Sequence, residues 1–167
     1  MIKIFGAKGN IQNIDGFLEK VVSFAKGKDI IIQAFNADLI YGKNHLISAV
    51  KHAKRAFENK TNTTNSLEME ILLYSSGERQ LKLAIPKMGV KKGKGNIAFV
   101  FVNKESSERE ANELLKKLNL ERDDKVLEGD INTLKKFGIN KEEISTVSED
   151  KFGELVLEKV AMVDILK

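Results

Sequence analysis

The sequence predicts a helix-rich α+β protein, with a small mixed sheet of three or four strands packed against about six or seven helices in a single domain of 167 residues. Three observations predict it. Met1–Phe5, Asp29–Phe35 and Ile97–Val102 are short apolar runs that read as strands. Apolar residues elsewhere recur at helical spacing, in segments that end at glycine. Hydrophobic residues make up 42% and charged residues 31%, a balance that lets a chain of this length bury a real core.

In chain order, Ile2, Ile4 and Phe5 mark the first strand, with Gly6 ending the run. Ile11–Lys26 follows as an amphipathic helix on Ile14, Phe17, Leu18, Val21, Val22 and Ala25, with Asp15 in its first turn and Gly27 as its stop. Asp29–Phe35 is almost continuously apolar and is expected to be buried on both faces. After a turn at Asn36–Gly42, Lys43–Glu58 carries an apolar stripe of Leu46, Ala49, Val50, Ala53 and Phe57, with Lys51, Lys54, Arg55 and Glu58 off it.

Lys60–Ser66 is a polar loop in which Asn65 or Ser66 caps the next helix. Leu67–Leu73 alternates as a strand would, yet Leu67, Ile71 and Tyr74 also fit a helix, and the Leu, Met and Glu content favours helix. A second short helix holds Leu81, Ala84, Ile85 and Met88, with Pro86 expected to kink it or end it early. Gly93–Asn96 reads as a tight loop before the central strand Ile97–Val102. Ser107 with Glu110 predicts a capping box for a helix bearing Ala111, Leu114, Leu115 and Leu118. Asp130 caps a helix with Leu134 and Phe137 that Gly138 ends. Phe152–Leu166 is the last helix, apolar over more than one stripe, so it either docks deeply or offers a surface to another protein. The expected order is β-α-β-α-α-α-β-α-α-α.

Much chemistry is excluded. The chain has no cysteine, hence no thiolate nucleophile or cysteine metal site, and two histidines seven residues apart, His45 and His52, do not make a metal helix. Gly6–Gly9 and Gly93–Gly95 are too short for nucleotide loops. No catalytic group and no cofactor site is expected, which points to a binding module, although a coupled carboxylate pocket would favour an enzyme. The N-terminus has no long apolar run, so neither signal peptide nor membrane span is expected and the cytoplasm is the default location. Asn62-Thr63-Thr64 fits a glycosylation acceptor but has no secretory context.

Charge is unevenly spread. Residues 1–104 hold 17 Lys/Arg against 8 Asp/Glu, and residues 105–167 hold 11 against 16, so +9 and −5 give the net +4. Such asymmetry suits one face for a polyanion and another for a different partner, or simply a solvated surface. Between the two helices of Leu67–Val90 lies the polar hinge Ser75-Ser76-Gly77-Glu78-Arg79-Gln80, closely followed by Lys87, Lys91, Lys92 and Lys94. Small residues there would let another backbone approach, and a new helix start offers N–H groups to a phosphate; the alternative is an ordinary helical hairpin turn. His45 is either a local hydrogen-bonding residue or part of the polyanion face.

These residues carry a resemblance. Asn36-Ala37-Asp38, Lys43 with His45-Leu46, Ala49 and Ala53, then Met69-Glu70-Ile71-Leu72, Ser76-Gly77-x-Arg79-Gln80, Ala84-Ile85 with Gly89, and Val156–Ala161 together resemble the small accessory subunit of the KEOPS complex, the family that includes the PRPK-binding protein of animals. Pro86 and the longer loop at Lys91–Gly95 depart from that pattern. The resemblance implies a non-catalytic protein that binds a small atypical protein kinase subunit, supports its ATPase activity and holds the tRNA 3′ CCA end. A separate ATPase-like subunit would then make threonylcarbamoyladenosine on the tRNA, reached only through the complex. On this basis RNA contacts are expected at His45, Lys60, Ser76, Gly77, Arg79, Gln80, Lys91, Lys92 and Lys94, and kinase contacts at Leu155, Met162, Val163 and Leu166. The rival expectation is an interaction module that binds only the kinase-like subunit.

Overall fold

The computed structural model describes residues 1–105 and 108–167. Ser107, and with it the capping box expected with Glu110, lies outside the described residues. The elements are β1 (Ile2–Ile11), α1 (Ile14–Lys28), β2 (Ile31–Asn36), α2 (Gly42–Glu58), α3 (Leu67–Ser76), α4 (Leu81–Met88), β3 (Gly93–Val102), α5 (Glu108–Leu118), β4 (Glu121–Arg122), α6 (Ile131–Phe137), α7 (Lys141–Ser145) and α8 (Phe152–Leu166). The helix-rich α+β class holds, and the element order matches the expected one with β4 and α7 added.

The sheet runs β2-β3-β1-β4, and every pairing is antiparallel. This differs from the mixed sheet expected, because β3 inserts between β1 and β2 and so separates the two strands that share a direction. The β1–β3 ladder extends from Ile2↔Val102 to Ile11↔Gly93. It draws Gly6, expected to end the first strand, and Gly93–Asn96, expected to be a loop, into regular strand. Gly6 serves close approach instead: a Cβ there would lie 2.5 Å from the Asp123 carbonyl oxygen and from Val126 Cγ2. The Gly6 amide donates to Asp124 Oδ1 at 2.9 Å, and the Asp123 amide donates to the Gly6 carbonyl at 2.9 Å. Gly27 likewise does not stop α1, which runs to Lys28 and ends where Asp29 takes a left-handed conformation at φ 54°.

Alternation along the strands feeds two cores. Phe5, Ala7, Ile32, Ala34, Phe99 and Phe101 face α1 and α5, meeting Phe17, Val21, Leu114 and Leu118. Phe5 and Phe99 stack with ring centroids 5.1 Å apart, and Phe101 meets Phe5 edge-on at 5.0 Å. The opposite face, with Ile4, Phe35, Ala98, Val100 and Val102, carries the larger layer built from α2, α3, α4, α6 and α8. Within that layer α3 is enclosed on all sides: Glu70, Ile71, Leu72, Leu73, Tyr74, Ser75 and Ser76 are all buried. Its ends are therefore held by neighbours rather than by solvent.

Candidate nucleic-acid and partner interface

At the C-terminal end of α3, Gly77 adopts a left-handed conformation at φ 70° and its amide donates to the Tyr74 carbonyl at 3.1 Å, a helix stop that favours glycine. Ser75 Oγ donates to the Leu72 carbonyl at 2.8 Å. Ser76 Oγ donates to the Leu73 carbonyl at 2.6 Å and accepts from the Glu78 amide at 3.0 Å. A Cβ on Gly77 would stand 3.2 Å from Lys159 Cβ and 3.4 Å from Phe137 Cζ. The small residues of the hinge thus admit α6 and α8 of the same chain. That replaces the expected opening for a foreign backbone at Ser76 and Gly77.

His45 is enclosed beside the hinge. Its Nδ1 accepts from the Tyr41 amide at 3.1 Å, so Nε2 carries the proton and donates to the Ser75 carbonyl at 2.8 Å. Burial lowers its pKa to about 4 against the opposing pull of the Ser75 carbonyl, and nearby Lys87 lowers it further. At neutral pH His45 is an uncharged structural hydrogen-bonding residue rather than a cation on a polyanion face. Lys87, which no motif singled out as a contact, fills the position of charge at the hinge. Its Nζ donates to the Ser76 carbonyl at 2.7 Å, sits 3.9 Å above the Phe137 ring centroid and lies 3.5 Å from Glu78. Burial lowers its pKa, with Glu78 opposing.

Outside this closed hinge several cations are exposed. Arg79, Lys82, Lys92 and Lys94 are exposed and have no ion-pair partner among the described residues. Lys91 donates to the Pro86 carbonyl. Gln80 is the N-cap of α4 and makes no side-chain cap. Pro86 sits inside α4, which nevertheless continues to Met88. Leu83 and Ile85 on the same helix are large and exposed, although Ile85 was expected in its apolar set with Leu81, Ala84 and Met88. Lys91 and Lys94 line a small cleft of about 70 Å³ with Asn36, Asp38 and Asn96. Lys60 is set apart. It is exposed, with φ 57°, in the loop before α3, whereas Arg79 follows α3; a ten-residue helix separates them by about 15 Å.

The N-terminal end of α3 holds a pairing that sequence reasoning did not anticipate. Glu70, fully buried, accepts from the Thr63 amide at 3.0 Å, from the Thr64 amide and Thr64 Oγ1 at 2.9 Å each, and from Lys167 Nζ at 3.0 Å. Burial alone would raise its pKa, but the two amides, Lys167 and the Thr64 hydroxyl together bring it below the usual carboxylate value. Asp164, one turn before Lys167, accepts from the Tyr74 hydroxyl and lies 2.7 Å from His52 Nδ1. Lys167 Nζ lies 4.6 Å from the Tyr74 ring centroid. Along α8, Leu155 and Val163 are core residues, while Met162 is 38% exposed and Leu166 46% exposed. Ile165, at 76%, extends the outward apolar strip.

Fold and surface together define a helix-rich α+β protein with exposed cations around α4 and a half-exposed apolar terminal helix. The family model described as kinase binding protein CGI-121 matches residues 9–164, and the chain belongs to that family. It is 33% identical to the regulatory protein Cgi121 of Methanocaldococcus jannaschii over 142 residues, covering 81% of this chain and 84% of that relative. Among the described residues no helix is long and apolar enough to cross a membrane.

Proposed function

We propose that this chain is the non-catalytic, cytoplasmic subunit of the KEOPS complex that binds both the kinase-like subunit and tRNA. It holds the tRNA 3′ CCA end and supports the ATPase activity of the kinase-like subunit, while the ATPase-like subunit carries out threonylcarbamoyladenosine synthesis and is met only through the complex. The observation that carries the tRNA part is the set of exposed cations Arg79, Lys82, Lys92 and Lys94, without an ion-pair partner among the described residues, together with exposed Leu83 and Ile85 on α4. Unpaired lysines suit phosphates, and an arginine with apolar neighbours suits unstacked bases. Family membership supports the kinase partner, and the outward residues of α8, Met162, Ile165 and Leu166, are the apolar surface that suits it. The test is a gel shift with intact tRNA against the same tRNA lacking CCA. Strong preference for the intact molecule is expected; equal shifts would remove the 3′-end reading.

A second reading, an interaction module for the kinase-like subunit alone, is favoured by the internal use of Ser76, Gly77 and His45. Kinase binding without any tRNA shift would establish it.

A further inference from the structure

We propose that Glu70 and Lys167 are positioning residues that couple the partner-facing end of α8 to the Lys60–Ser66 loop; the inference rests on reading the outward residues of α8 as the kinase surface. After Val163 no apolar side chain of α8 is buried, since Ile165 and Leu166 both face solvent. The last turn is therefore held by polar groups: Asp164 to the Tyr74 hydroxyl and His52, and Lys167 to Glu70. The Lys167–Glu70 pair is deeply placed, with side chains 6% and 0% exposed. Its carboxylate is at the same time the acceptor for both Thr63 and Thr64 amides. One buried group thus joins the Thr63–Thr64 loop to Lys167, which lies 97 residues beyond Glu70 in the chain.

A buried ion pair is a poor source of stability compared with apolar packing of equal size, but its geometry is exacting. A helix end held this way opens locally at low cost, and covering Ile165 and Leu166 with a partner opposes that opening. Lys167 then stays on Glu70, and Glu70 stays on the loop that presents Lys60. Linkage makes the effect reciprocal, so ordering the loop also favours the partner-competent end of α8.

The experiment follows amide hydrogen exchange at Thr63 and Thr64 in the full chain, alone and with the kinase-like subunit. Exchange about tenfold slower in the complex is expected. Lys167→Met should speed exchange of these two amides about tenfold in the free chain and erase the slowing by the kinase, while β1 and β3 amides keep their protection; Lys167→Arg should restore both. Should Lys167→Met also unprotect β1 and β3, the comparison of wild-type chain with and without kinase decides alone. Kinase that protects α8 but leaves Thr63 and Thr64 unchanged overturns the coupling and spares the reading of α8. Kinase protection that falls away from α8 overturns both.

Discussion

Arg79 and His45 show how differently two residues of one neighbourhood behave. Arg79 is exposed and has no ion-pair partner among the described residues, so on the proposed tRNA site Arg79→Glu should weaken tRNA binding by roughly 1–3 kcal/mol and leave the melting temperature in place. Wild-type affinity in the mutant would place the RNA site away from the hinge. His45 is buried with its pKa lowered from 6.5 to about 4. A His whose folded pKa lies below its unfolded pKa contributes stability that is complete above pH 6.5 and is lost as pH falls towards 4, because the unfolded chain takes up the proton first. The loss should approach about 3 kcal/mol, read as a falling urea midpoint over that range that His45→Gln flattens. Glu70 and Asp164, whose folded carboxyl pKa values are depressed, lose their contributions below their ordinary carboxyl range and so add a separate, more acidic decline. At this scale the sequence conveyed chemical type but not use. His45 in the first turn of a helix was open to two roles, and burial against Phe137 and the Ser75 carbonyl decides between them. Glu70 stood within the Met69–Leu72 block that carries the resemblance, but its use was not readable, because its partner Lys167 is 97 positions away.

Helices long enough to show their spacing were the most legible elements. α8 coincides with the expected Phe152–Leu166, and α5 buries Ala111, Leu114, Leu115 and Leu118 as its spacing predicts. α3 was ambiguous between helix and strand because it is surrounded; a helix buried on every side has no polar face to reveal its period. β4 has two residues and α7 five, below the length at which periodicity exists. Strand ends failed at glycine: Gly6 and Gly93 punctuate a local reading, but a ladder with a distant partner carries the strand through them. Within α8, neighbouring residues should separate stability from binding. Met162→Asp, on the outer side, should move the thermal midpoint little and sharply reduce kinase pull-down, as for a residue near the centre of an interface. Val163→Asp, fully buried, should cost several kcal/mol and bring down both. A Met162→Asp protein that keeps full kinase binding would move the partner surface elsewhere.

Across the whole molecule, the +9 balance of residues 1–104 predicts salt-sensitive tRNA binding. The logarithm of the binding constant should fall linearly with the logarithm of salt, by about 0.7 per single-strand phosphate neutralised. A flat titration would remove Arg79, Lys82, Lys92 and Lys94 as tRNA contacts. The α+β class was readable because strand and helix signals are local, whereas the antiparallel arrangement was not, because it depends on β3 entering between strands formed far earlier in the chain. That insertion also sets an order of events. Among the described residues β1 pairs only with β3 and β4, and β2 only with β3, so neither early strand has a sheet partner until residues 93–102 are made. On the ribosome the first half of this protein has helices to form but no sheet to join. Assembly of the sheet must wait for the chain to double back over roughly a hundred residues, a closure that weighs on rate far more than on final stability.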